Sequence, residues 1–166
     1  NTYITVADPH VQIDVPAAIA RAAALPIDAV PAPAPLPAPH RVDVGVNAHF
    51  VGRDALLLQI AEALRAPAAQ VILTGIPGVG KSQVAAEVAH RYGQFFAGGV
   101  FWLTCDRPGD FTDQVAQLAG LGFVRHPNLE ALPPDERARL VKQAWQEPVP
   151  RLIIFDNCES VELFEQ

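Results

Sequence analysis

The chain has 166 residues, half of them hydrophobic, so it can bury the core of one domain of ordinary size together with a flanking segment. Its 12 Lys and Arg residues against 18 Asp and Glu residues give a net charge of −6, which argues against a dedicated nucleic-acid-binding protein. No apolar run reaches the ~18 residues of a spanning helix, and the N-terminus lacks a signal-peptide pattern, so we expect a cytoplasmic protein without a membrane partner. The two cysteines, Cys105 and Cys158, are expected to be reduced thiols.

The first 45 residues predict a tail followed by a linker. Short β-like runs at 3–6 and 11–15 precede an Ala-rich helical stretch at 17–25, and we interpret residues 1–25 as the tail of an upstream region. From Pro26 to Pro39 six of fourteen residues are proline, a composition that favours extended polyproline II and predicts a linker over 26–45. The absence of methionine and the open-ended helical pattern at 160–166 lead us to expect a piece of a longer protein.

Residues 46–166 have the pattern of an α/β domain. Short apolar runs, each as expected for a strand buried on both faces, alternate with amphipathic helices. The predicted elements are a helix over 55–65, a strand over 71–74, a helix over 81–92, a strand over 100–103, helices over 110–121 and 136–146, and a strand over 152–155. This alternation predicts a parallel sheet with helices on both faces.

A phosphate-binding loop lies between the first predicted strand and the helix that follows it. The eight residues match G-x-x-x-x-G-K-[ST] at every position, and they are Gly75, Ile76, Pro77, Gly78, Val79, Gly80, Lys81 and Ser82. Backbone N–H groups of such a loop surround a polyphosphate at a helix N-terminus, the lysine contacts the β- and γ-phosphates, and the hydroxyl ligates Mg²⁺. We add Gln83, the next residue, to the candidate nucleotide-binding set.

A carboxylate follows the last predicted strand. Asp156 comes directly after four apolar residues, which places it at the carboxyl edge of a parallel sheet, where ligands of such folds bind. With the phosphate-binding loop upstream, we predict that Asp156 holds Mg²⁺ together with Ser82 and takes part in catalysis with Lys81. The next residue is Asn157, whose amide cannot accept the proton of an attacking water, and Glu159 is the candidate that could replace such a carboxylate.

A third element stands about twenty residues before the loop. Phe50 is followed by Val51, Gly52 and Arg53, and a segment of this kind can lie beside an adenine, with the arginine reaching the ribose or phosphates. Together with the loop, the run at 99–103 and the segment from Leu152 to Glu159, it resembles the nucleotide-binding domain of the signal-transducing ATPases with numerous domains. The resemblance covers about residues 47–166, is closest to NB-ARC-like bacterial members, and includes only the first part of that domain.

This resemblance implies a fold and a function. The fold would be a three-layer α/β/α P-loop NTPase with a parallel sheet, incomplete here because the family's sensor strand would follow Gln166. ADP would hold a closed form, and exchange for ATP would permit homo-oligomerisation and activate an attached effector, with sensor domains elsewhere in the full protein. Lys81 would contact the phosphates, Ser82 and Asp156 the Mg²⁺, and Val51 with Arg53 the adenosine side.

Two other functions remain open from the residues. One is a conventional P-loop ATPase or phosphotransferase of the AAA+ kind, although such a machine usually has an acidic residue at position 157. The other is a non-hydrolysing interaction module with structural ADP. Because Asn157 follows Asp156, we expect ATP hydrolysis that is slow at most, and we expect this stretch alone to be inactive.

Overall fold

The computed structural model describes residues 3–5, 12–105 and 110–158. In chain order its elements are β1 (Tyr3–Thr5), β2 (Gln12–Asp14), α1 (Val15–Ala23), β3 (His40–Arg41), α2 (Asp54–Leu64), α3 (Lys81–Tyr92), β4 (Val100–Thr104), α4 (Asp110–Leu118), α5 (Pro134–Ala144) and β5 (Leu152–Asp156). Short 3-10 turns follow α3 and α4 and precede α5. None of the helices in the described part of the chain is long and apolar enough to cross a membrane.

The central sheet is parallel, as the alternating pattern predicted. Its strand order is β3-β4-β5, and β4 pairs with β5 over five residues, from Val100 opposite Leu152 to Thr104 opposite Asp156. The helices predicted over 55–65, 81–92, 110–121 and 136–146 are all present, with ends that differ by a few residues. The α/β class of the chain is therefore confirmed.

Helices pack on both faces of this sheet because alternate residues of a strand point to opposite sides. Val100 and Leu152 belong to one apolar core, which they share with α1, α2 and α3. Phe101 and Leu103 belong to a second core, which they share with α4 and α5. Both cores contain fully buried side chains, so β4 and β5 are covered on both faces, as their continuous apolar sequences require.

The proline-rich segment lies against the end of α3. The backbone N–H of Ala34 donates to the carbonyl of His90 at 3.0 Å, and Nη1 of Arg91 donates to the carbonyl of Pro31 at the same distance. His40–Arg41 then joins the sheet as the edge strand β3, an element that the sequence did not predict. The segment predicted as a linker therefore contributes to the packed structure through its backbone.

The strand predicted over 71–74, directly before the phosphate-binding loop, is wrong. These residues form no strand with any other part of the described chain, and Ile72 is 83% exposed. An extended apolar run becomes a strand only when a neighbour pairs with its backbone groups, and that condition cannot be read from the run itself. Leu73 still packs against the core shared by α1, α2 and α3.

The expectation of two reduced thiols is also wrong, because Cys105 and Cys158 are joined by a disulfide. The residues Thr104 and Asp156 are register partners at the ends of β4 and β5, so the residues that follow them start side by side. The Cα atoms of the two cysteines are 5.0 Å apart, within the range that a disulfide spans.

Tyr92, the last residue of α3, supplies a first prediction about stability. Its side chain is fully buried, its hydroxyl has no hydrogen-bond partner among the described residues, and burial raises the pKa of that hydroxyl. We expect Tyr92→Phe to leave the free energy of unfolding at pH 7 unchanged or to raise it by about 1 kcal/mol, because the variant removes an unsatisfied polar group.

The same variant should change how stability depends on alkaline pH. The pKa of Tyr92 is higher in the folded than in the unfolded state, so the folded state holds the phenolic proton to higher pH. Ionisation of Tyr92 therefore leaves the free energy of unfolding unchanged below about pH 10 and lowers it as pH rises further. Urea unfolding between pH 8 and 11 should therefore show a smaller alkaline loss for Tyr92→Phe than for the unaltered chain. Parallel pH profiles for the two proteins would contradict this account.

Candidate functional site

The candidate phosphate-binding loop leads directly into α3. Gly80 is the residue before the helix and has a φ of +90°, and Gly78 has a φ of +80°, both in the left-handed region that favours glycine. A turn within the loop is closed by the N–H of Val79, which donates to the carbonyl of Ile76 at 3.4 Å. Residues 75–79 are exposed, and the first N–H groups of a helix such as α3 have no partner within the helix.

Two cationic side chains lie on this loop. The ammonium of Lys81 donates to the carbonyls of Gly75 at 2.9 Å and Ile76 at 3.2 Å, so the lysine folds back over the start of the loop. Nη2 of Arg53 donates to the carbonyl of Val79 at 2.6 Å. The structure therefore brings Arg53, predicted from a separate element, to the loop that carries Lys81.

Ser82 and Asp156 meet across 74 residues of sequence. The Ser82 hydroxyl, in the first turn of α3, donates to Oδ1 of Asp156 at the carboxyl end of β5, with a distance of 2.8 Å. The parallel direction of β5 and the position of α3 beside it put the start of the helix and the end of the strand at one edge of the sheet. Both residues were predicted as Mg²⁺ ligands, and the structure places them together.

The donor set at this edge fits a magnesium ion. A hydroxyl and a carboxylate supply the oxygen ligands that Mg²⁺ prefers, and Mg²⁺ in nucleotide sites is bound through one or two carboxylates together with substrate phosphates and water. No group of three or more His, Cys, Asp or Glu side chains is close enough to hold a metal ion in the part of the chain that the structure describes. The two oxygens would therefore need phosphate and water to complete the shell.

The remaining candidate residues differ in where the structure puts them. Val51 is 81% exposed and Gly52 is also exposed, so neither is packed against the loop. The side chain of Gln83 accepts a hydrogen bond from Nδ2 of Asn47 at 3.1 Å and thus points toward the segment before α2. Glu159, the candidate carboxylate, lies outside the described residues.

Asn157 shapes the turn after Asp156. Its φ of +57° is in the left-handed region, which asparagine tolerates better than most residues, and its backbone N–H donates to Oδ1 of Asp156 at 3.1 Å. That oxygen thus accepts from both Ser82 and Asn157. The residue after Asp156 orients the carboxylate through its backbone and brings no second carboxylate to the site.

Glu87 is a residue of this region that the sequence analysis missed. It is the one charged side chain among the described residues that is fully buried, and it lies on α3 behind the loop. Its carboxylate accepts from Nε of Arg91 at 2.7 Å and from the backbone N–H of Asn47 at 3.1 Å. The available signal in the sequence was that Glu87 stands four residues before Arg91 on a predicted helix, but an ion pair with this spacing is usually exposed.

Gln114 is a second residue that the sequence analysis missed. Its side-chain amide donates to the carbonyl of Thr104 at 2.6 Å and accepts from the N–H of the same residue at 2.8 Å. The side chain thus makes with Thr104, at the carboxyl end of β4, the two backbone hydrogen bonds that a neighbouring strand would make. No sequence pattern distinguishes such a glutamine from an exposed one on α4.

Comparisons of the chain with protein-family models, with curated proteins and with solved structures give no match.

The buried carboxylate of Glu87 leads to a prediction about the helix that carries Lys81 and Ser82. We expect Glu87→Gln to lower the free energy of unfolding by about 1–3 kcal/mol, because it leaves the half-buried Arg91 guanidinium without its anionic partner. Urea denaturation would measure the change. Glu62→Gln, at an exposed position on α2, is the matched control and should be neutral; equal stability of the two variants would contradict the prediction.

Proposed function

We propose that this chain is a nucleotide-binding module of the P-loop type, which binds ATP or ADP with Mg²⁺ and acts as a signal-transduction switch. The observation that carries the proposal is the 2.8 Å hydrogen bond between Ser82 and Asp156. Two motifs predicted separately, 74 positions apart, supply the two side chains that this chemistry needs at one edge of one sheet. The proposed architecture is a three-layer α/β/α P-loop fold.

The phosphates would be bound by the loop and by Lys81. Free N–H groups at the start of the twelve-residue helix α3 and the positive end of its dipole favour an anion at this position. The Lys81 ammonium now donates to two neutral carbonyl oxygens, and phosphate oxygens would replace them as charged and therefore stronger acceptors. Arg53, which touches the loop at Val79, would add a second cation on the nucleotide side.

Ser82 and Asp156 would hold the magnesium ion. When bound, Mg²⁺ neutralises phosphate charge and fixes the orientation of the β- and γ-phosphates. The Ser82 hydroxyl would leave its hydrogen bond to Asp156 and turn its oxygen toward the ion. The carboxylate would remain oriented by the N–H of Asn157 and would hold the ion's water shell.

Slow hydrolysis, rather than rapid turnover, follows from the turn after Asp156. A general base must reach the attacking water, and the side-chain amide of Asn157 cannot accept a proton. The loop cations would bind the nucleotide well, while position 157 offers no such base to the chemical step. A protein that retains its nucleotide in this way can report which nucleotide is bound, and this property supports the switch over a conventional ATPase.

The proposed switch needs partners that the resemblance implies. A homo-oligomer in the ATP state and attached effector and sensor domains are part of this proposal. Among residues 3–5, 12–105 and 110–158, no strand pairs with the outer edge of β5 or with segment 71–74, which is compatible with a larger sheet in which a further strand lies between them.

The first test is to identify the nucleotide that the protein retains through native purification. We expect denaturation to release close to one ADP per chain, and we expect Lys81→Ala to release none and to bind added ADP about tenfold more weakly or worse. Arg139→Ala, which removes one exposed positive charge on α5, is the control and should retain its nucleotide. Equal ADP affinity in the Lys81→Ala variant would refute the assignment of the phosphate site.

A second test separates the metal from the phosphates. Asp156→Asn should still bind ADP in the presence of EDTA, because the loop and Lys81 are unchanged. It should lose most of the increase in affinity that Mg²⁺ gives the unaltered chain, because the amide is a far poorer partner for the ion's water shell. Calorimetric titration of both proteins with ADP, with and without Mg²⁺, measures this difference, and an unchanged Mg²⁺ effect would exclude Asp156 from the metal site.

A further inference from the structure

The chain has two cysteines, and both follow strands that end at the candidate nucleotide site. Cys105 comes after β4, and Cys158 comes two residues after Asp156, the last residue of β5. The backbone N–H of Cys105 donates to the carbonyl of Asp156 at 2.8 Å, which extends the pairing of the two strands by one bond. The disulfide between the cysteines therefore links the ends of β4 and β5 at the sheet edge where Ser82 and Asp156 meet.

This cross-link limits the freedom of the turn that orients Asp156. Asn157 is the one residue between the carboxylate and Cys158, and its N–H donates to the same Oδ1 atom that accepts from Ser82. While Cys158 is bonded to Cys105, the turn is tied to the end of β4 as well as to β5. Breaking the bond removes this covalent tie between Cys158 and the end of β4.

The two sulfur-bearing residues differ in exposure. Cys105 is buried, with 7% of its surface exposed, whereas Cys158 is partly exposed. A small thiol from solution would therefore attack at Cys158. In compartments rich in small thiols, the disulfides that do form are usually transient and are broken by thiol–disulfide exchange.

We propose that Cys105 and Cys158 form a redox-controlled clamp on the magnesium end of the nucleotide site. This inference rests on the proposed function. In the oxidised state the clamp would keep the Asp156 carboxylate, oriented by the N–H of Asn157, in place at the proposed magnesium position and so favour nucleotide with Mg²⁺. In the reduced state the turn at Asn157 would lose its covalent link to β4, and the magnesium-dependent part of the affinity would fall.

The chemical step is thiol–disulfide exchange with a low-molecular-weight thiol such as glutathione. The small thiolate attacks Sγ of Cys158, the bond to Cys105 breaks, and Cys105 leaves as a thiolate that takes a proton from solvent. A second small thiol attacks the mixed disulfide and releases Cys158 with formation of a small-molecule disulfide. Two electrons and two protons pass from the small thiols to the cysteine pair, and the small-molecule disulfide reverses both steps.

The clamp is tested on the unaltered 166-residue chain, equilibrated in buffers with different ratios of reduced to oxidised glutathione. Alkylation of free thiols followed by mass spectrometry counts the reduced cysteines, and calorimetric titration measures ADP binding with Mg²⁺ and with EDTA. We expect the affinity for ADP with Mg²⁺ to fall about fivefold or more on reduction, a typical size for coupling between two sites. The affinity for ADP in EDTA should not change.

Cysteine variants and Lys81→Ala distinguish a failure of the clamp from a failure of the nucleotide site. Cys158→Ser and Cys105→Ser should bind ADP with Mg²⁺ as the reduced chain does, whatever the glutathione ratio. An affinity that is the same in both redox states, with alkylation proving that the pair was oxidised and reduced, would overturn the clamp while leaving the nucleotide site intact. Cysteines that stay reduced in oxidised glutathione would overturn it as well.

A failure of the proposed function would look different. In that case the unaltered chain would bind no ADP in either redox state and would match Lys81→Ala, and both the nucleotide site and its clamp would be rejected. If a serine variant fails to fold, the comparison of the oxidised and reduced forms of the unaltered chain still decides the question.

Discussion

The parallel pairing of β4 with β5 is the constraint on which the rest of the structure depends. Five consecutive register partners align the two strands, so that alternate side chains enter one of two cores and both strands need helices on both faces. Because the strands run in the same direction, their carboxyl ends lie at one edge. Cys105 is a neighbour of Asp156 and Cys158 at that edge for this reason, although it lies 53 positions before Cys158 in the sequence.

The helix α3 connects this edge to the N-terminal part of the chain. Its first turn carries Lys81 and Ser82, and its buried face carries Glu87, which accepts from the backbone of Asn47. Its last turn contacts the proline-rich segment through the backbone of His90 and the side chain of Arg91. A displacement of the proline-rich segment would therefore act on the same helix that begins at the candidate phosphate-binding loop, and in the proposed switch this helix would connect the nucleotide to the proline-rich segment.

Much of the fold and part of the candidate site could be predicted from the sequence. Helical periodicity predicted α2 and α5 to within a few residues, and the apolar runs before Thr104 and Asp156 predicted two parallel strands. The site was predicted as a set of residues, and the structure brings Ser82 to Asp156 and Arg53 to the loop. By contrast, the strand over 71–74 was wrong because an apolar run does not reveal whether a pairing partner lies beside it.

The sequence by itself determined the features that depend on near neighbours in the chain. These are the positive φ angles allowed by the glycines at 78 and 80, the periodic faces of the helices, and the order of loop, lysine and serine in the motif. The motifs predicted that Ser82 and Asp156 meet, whereas only the tertiary structure decided that Cys105 meets Cys158 and that the backbone of Asn47 meets Glu87. The physical reason is that such contacts depend on strand register and on which helix faces share a core, and both are set by the free energy of the whole packed chain rather than by any local segment.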